Sequence, residues 1–145
     1  MSDTGHTVKS YAEEMQSLND DLIKMGSLTE SQLADAMEAV IKLDKESVDK
    51  IVQNDSKINA LRAAIDNQIT TVLVKRAPMA VDLRITISTM KISHDLERIG
   101  DLAKSVAKKV TPLPIDLPDE LVNSLRRLGD FCLLYTSPSP RDSMT

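Results

Sequence analysis

The chain has 145 residues, enough for one domain of ordinary size, and a net charge of −4. That balance argues against a nucleic-acid-binding domain, which carries a basic patch or stripe, and only three aromatic residues, Tyr11, Phe131 and Tyr135, leave little for a base-stacking surface. The single cysteine, Cys132, allows no disulfide framework, and with no signal pattern at the N-terminus and no apolar run near the ~18 residues that span a bilayer, the chain reads as soluble and cytoplasmic.

Residues 1–7 read as a flexible N-terminus. The first helix is predicted from about Val8 to Leu43: Val8, Tyr11, Met15, Leu18, Leu22 and Met25 step by three and four along one face. The seam shifts phase near Gly26 and resumes at Leu33, Ala36, Val40 and Leu43. Ser27-Leu28-Thr29-Glu30 matches a capping box, so the helix either restarts there or bends through it.

A second helix is predicted from about Lys45 to Arg76, with Val48, Ile51, Ile58, Leu61, Ile65, Ile69 and Val72 as its seam. Ala77-Pro78 ends it, because the residue before proline is pushed out of the α region. The third runs from about Ala80 to Val110 and carries two stripes. Ile92, Leu96, Ile99, Ala103, Val106 and Val110 are apolar throughout. Leu83, Ile87, Met90, His94, Glu97 and Asp101 turn from apolar to polar halfway. Lys108 and Lys109 sit where they favour a helix C-terminus.

Residues 111–118 form a proline-broken linker, and a fourth helix over 119–131 has no partner in this chain. The expected fold is all-α: an antiparallel three-helix bundle over 8–110, followed by a truncated and poorly anchored fourth helix. Residues 132–145 break the helical pattern and resemble an in-frame translation of a sequencing adapter. They read as a foreign tail on a chain truncated after Phe131.

The run Lys91-Ile92-Ser93-His94-Asp95-Leu96-Glu97-Arg98-Ile99-Gly100-Asp101-Leu102-Ala103 closely resembles the signature of the PhoU family. His6 to Tyr11, Met25-Gly26, Arg76-Ala77-Pro78 and Asp82-Leu83-Arg84 match the family in the same order. The resemblance covers 1 to about 131: one complete repeat and the opening of a second. It implies a cytoplasmic negative regulator of phosphate uptake and phosphate-starvation signalling, without substrate turnover of its own. The implied partners are the ATPase subunit of a phosphate ABC transporter and a sensor histidine kinase. Members are commonly homodimeric, and some bind multinuclear metal clusters through E/D-x-x-x-D motifs.

Glu97 and Asp101, four apart, lie on one helix face. Like charges at that spacing destabilise a helix by roughly 0.2–0.5 kcal/mol, a sign that a bound cation reverses. Carboxylates suit Fe, Mn or Mg, and His94, one turn earlier, adds an imidazole that also suits Zn. Asp66 and Asn59 on the second helix complete the candidate metal set. Arg62 stands where family members carry an acid, so it can pair with Glu97 or Asp101 in place of a metal.

The same charges also fit a solvated salt-bridge face, with Lys104 three residues from Asp101 and Arg98 three from both Asp95 and Asp101. His94 then sits at a partly exposed edge of the bundle, and Met15, Met25, Met37 and Met90 are core packing. A di-metal oxidase is disfavoured: His94-x-x-Glu97 reverses the Glu-x-x-His order such sites use, and no second copy exists. The competing readings are a metal-free helical adaptor and an accessory protein of a secondary phosphate transporter.

Overall fold

The computed structural model describes residues 2–114 and 116–136. Four helices follow one another: α1 (Ser2–Lys42), α2 (Lys45–Arg76), α3 (Val81–Val110) and α4 (Asp119–Thr136), with no strand among the described residues. α1, α2 and α3 pack together, and α4 lies against α1 alone. No described helix is long and apolar enough to cross a membrane.

The three-helix expectation holds, and α2 and α3 fall within a residue of their expected limits. Two boundaries differ, and a third that was left open is resolved. The terminus expected to be flexible over 1–7 is already helical from Ser2. α1 does not restart at 27–30: Thr29 turns its hydroxyl across the bundle to the Leu96 carbonyl at 3.4 Å, so packing against α3 carries the helix through.

The fourth helix also runs past 131 to Thr136, because Leu133 and Leu134 prolong its apolar pattern. It is not without a partner. Gly129 is buried against Met37, and Arg126 reaches Glu38 at 3.6 Å. A cleft of about 150 Å³ between Ala34, Ile41 and Leu133 marks the seam between the helices. Residues 137–145 of the expected foreign tail lie outside the described residues.

Each reversal of the chain is made by local chemistry. Asp44 caps α2, accepting the Glu46 amide at 3.0 Å and the Ser47 hydroxyl at 2.6 Å. Just before it the Asp44 and Leu43 amides fold back onto Ala39 and Val40, a Schellman closure with Leu43 (φ 51°) in the left-handed position glycine usually takes. Ala77 leaves α2 at φ 42°, driven from the α region by Pro78.

The core has two apolar parts. Leu18, Met25, Ile58, Ile65 and Ile69 fill one, and Ala36, Ala39, Ile51, Ala103 and Ala107 the other. Between them in the order of every helix lie Gln32, Asp55 and Gly100. α3 enters the core mainly along the line between its two expected stripes, through Thr86, Thr89, Ser93, Gly100 and Ala107, while Ala103 and Leu96 of the first stripe and Met90 of the second also pack there. The residues on that line are small, which lets the helices approach closely. The three hydroxyls are spent on their own helix, donating to Asp82, Ile85 and Met90 carbonyls at 2.7–2.9 Å. Ile92, Ile99 and Val106, expected to belong to a core seam, consequently face solvent.

Candidate functional site

The polar stripe of α3 lies along α2, and each of its ionisable groups meets a partner. Arg62 Nη1 donates to Glu97 Oε2 at 2.9 Å, and its Nε stands 3.6 Å from Asp66 Oδ2, too far for a hydrogen bond but within ion-pair range. His94 Nε2 lies 3.1 and 3.2 Å from the two Asp66 oxygens. A carboxylate only accepts, so that nitrogen carries its hydrogen. The fold thus places Asp66 and Glu97 against one guanidinium, with His94 held on Asp66.

Asp101 and Asn59 belong to a second cluster, one turn along. Lys104 Nζ bridges Asp101 at 3.1 Å and Asp55 at 2.8 Å. Asn59 donates to Asp55 at 3.3 Å, and Gln32 Nε2 donates to the other Asp55 oxygen at 3.0 Å and to the Gly100 carbonyl at 2.7 Å. Asn54 closes the network, donating to Gln32 Oε1 at 2.9 Å and to the Leu28 carbonyl at 3.1 Å. The Asp55 side chain is only 4% exposed and that of Lys104 23%. Asp55 holds the Lys104 ammonium above the usual lysine range, with Asp101 adding to the shift against the opposing effect of burial.

A buried carboxylate is stable only when paired and fully hydrogen-bonded, and Asp55 meets that condition from three helices. Sequence reasoning missed Asp55 and Gln32. The signal was present as gaps: Asp55 takes the slot between Ile51 and Ile58 where the α2 seam needs an apolar residue, and Gln32 the slot between Met25 and Ala36 where the α1 seam changes phase.

As arranged, each of these residues already has a protein partner. Glu97 and Asp66 share Arg62, Asp101 is tied to Lys104, and Asn59 faces Asp55. Among the described residues no group of three or more His, Cys, Asp or Glu side chains is placed to hold an ion. The arrangement instead spends each acid on a protein cation or an imidazole.

The family model described as "PhoU domain" matches residues 22–110. Among curated relatives, the chain is 38% identical over 127 residues to the phosphate-specific transport system accessory protein PhoU homolog of Caulobacter vibrioides, covering 87% of this chain and 55% of that protein. It is 40% identical over 124 residues to the protein of the same name from Xylella fastidiosa, covering 86% and 51%. The chain therefore spans about half the length of the curated relatives it matches. The crystal structure of PhoU from Pseudomonas aeruginosa superposes with a TM-score of 0.78 at 31% identity, covering 87% of this chain and 61% of that one. With the domain match spanning most of the bundle and the same fold in a solved relative, the chain belongs to the PhoU family.

Proposed function

We propose that this chain is a non-enzymatic helical adaptor of phosphate uptake and phosphate-starvation signalling, and that it works without a metal cluster. The transport role rests on the relatives, which are named as accessory proteins of a phosphate-specific transport system. The partners this reading assigns are the transporter's cytoplasmic ATPase subunit and a sensor histidine kinase.

The observation that carries the metal-free part is Arg62. Its guanidinium lies 2.9 Å from Glu97 and 3.6 Å from Asp66, so a fixed protein cation stands where the acidic stripe would gather an ion. A guanidinium stays charged at every relevant pH and is not released by chelators. The adaptor would hold its acidic face in one arrangement regardless of metal supply.

The test pairs two measurements on the purified chain. Elemental analysis of the native chain and of Glu97→Ala/Asp101→Ala should find no stoichiometric Fe, Mn, Mg or Zn in either. Binding to the purified ATPase subunit should persist in a chelator. Stoichiometric metal lost in the double variant, or binding that requires added metal, would overturn the metal-free reading. Failure to bind either the ATPase subunit or the kinase, with or without metal, would overturn the adaptor reading.

A further inference from the structure

The outer face of α3 carries two parallel lines at seven-residue spacing. Ile85, Ile92, Ile99 and Val106 form one, exposed by 47%, 47%, 38% and 47%. Arg84, Lys91 and Arg98 form the other, each one residue earlier and each exposed. No ion pair or hydrogen bond holds any of these three cations among the described residues, although the chain as a whole is acidic. Asp95 lies between Lys91 and Arg98 as the one acid in the line, and Lys109 continues it three turns past Arg98.

Seven residues is nearly two helical turns, so each line runs almost straight along the helix, drifting by about 20° per repeat. Ile85 to Val106 spans ~32 Å at 1.5 Å per residue. At the start of α3 the face sinks into a depression of about 420 Å³ lined by Val81, Arg84, Ile85, Ser88, Thr89 and Ile92. Isolated exposed apolar side chains are ordinary. A contiguous strip of them, rimmed on one side by unpaired charge that is basic but for Asp95, marks a recognition surface.

We infer that this face docks an acidic amphipathic helix of a partner protein. The apolar line supplies the seam that a helix with heptad apolar positions would bury, and the basic line stands where the flanking charges of such a helix fall. Unpaired cations of one sign select an acidic partner and reject a basic one. The inference depends on neither Arg62 nor the metal question, and it is independent of which protein supplies the helix.

The experiment measures binding of the full chain to a fluorescent synthetic helix with leucine at heptad positions and glutamate flanking them. A matched peptide with lysine for glutamate is the control. Phosphatidylcholine vesicles containing phosphatidylglycerol, and sedimentation of the chain alone, are run in parallel. The acidic helix should bind, and more weakly as salt rises. Arg84→Glu/Arg98→Glu should weaken it by about tenfold or more with unchanged circular dichroism. Ile92→Ser, a milder surface change, should weaken both binding and its apolar component. Equal binding of both peptides, or no loss in the charge-reversal variant, would overturn the proposal. So would vesicle binding without peptide binding, or a dimer of the chain that Ile92→Ser dissolves.

Discussion

Gly26 and Gly100 both sit inside long helices, yet alanine should move stability in opposite directions at the two sites. A Cβ at Gly26 meets nothing within 4 Å, so Gly26→Ala should stabilise by about 0.5–1 kcal/mol through backbone entropy alone. A Cβ at Gly100 would stand 3.2 Å from Ile58 Cδ1 and 3.3 Å from Gln32 Nε2. Gln32 cannot yield, because Asp55, the Gly100 carbonyl and Asn54 all hold it. Gly100→Ala should therefore destabilise, by about 1 kcal/mol net of the helix-propensity gain. Chemical denaturation of both variants reads the two signs. Asp55→Ala is the more severe test of the same network. It leaves the half-buried Lys104 ammonium with Asp101 alone and one Gln32 hydrogen without its acceptor, and should cost about 2–4 kcal/mol; a loss below about 1 kcal/mol would show that Asp55 is not the network's centre. At this scale the sequence was legible where chemistry and periodicity agree, as with Arg62 set against Glu97. It was silent where a polar residue hides in an apolar slot, because periodicity reads which face is buried and not which buried residue has partners.

Among the elements, α4 is the one whose fate differs most from expectation. A lone amphipathic helix has no reason to be ordered, and the apolar side of α4 was read as waiting for helices beyond the chain. It instead rests on the face of α1 turned away from the core, with Gly129 bringing the two backbones close at Met37. A Cβ at Gly129 would stand 3.2 Å from Met37 Cγ and 3.3 Å from its Cε, a tightness that a flexible methionine relieves by shifting a few tenths of an ångström, so Gly129→Ala should be tolerated, whereas Gly129→Val should lift α4 away. Hydrogen exchange should then show loss of protection over 119–134 with 45–110 unchanged; retained protection would mean that α4 is held elsewhere. Leu121 and Leu128 remain exposed on its far side, so α4 is only partly covered. Helix limits at 76 and 110 were legible because an Ala-Pro pair and a lysine pair mark them. The inner face of α3 was not, because serine, threonine and glycine earn no hydrophobic score, yet they are what a close helix contact requires.

For the molecule as a whole, the pH dependence of stability should have two arms. Arg76 grips Glu14 with a pair of hydrogen bonds at 3.0 and 3.3 Å, tying the C-terminal end of α2 to α1, and this holds the Glu14 carboxyl below the usual glutamate range. A depressed folded pKa gives stability that is complete above the ordinary value and is lost as pH falls through the lowered one. Lys104 is raised, so its contribution is complete below the ordinary lysine value and is lost as pH climbs through the higher folded one. Thermal unfolding followed against pH should therefore fall off at both extremes. Glu14→Gln should flatten the acid arm and leave the alkaline arm alone; an unchanged acid arm would show that other carboxylates control it.

The layer of Gln32, Asp55 and Gly100 between the two halves of the core has a consequence for how the chain finds its fold. Apolar surfaces alone are forgiving: a helix that slides by one turn, ~5.4 Å, still meets leucine, isoleucine and alanine. With the layer in place, such a slide carries a charged carboxylate into hydrocarbon and separates it from every group that compensates it. Misassembled bundles are thereby raised in energy while the native one is not. Replacing the layer with leucines would remove that discrimination, and the resulting chain could keep its stability while losing its single arrangement. The polar layer thus acts as a registration key, trading indifference to sliding for a unique alignment of three helices.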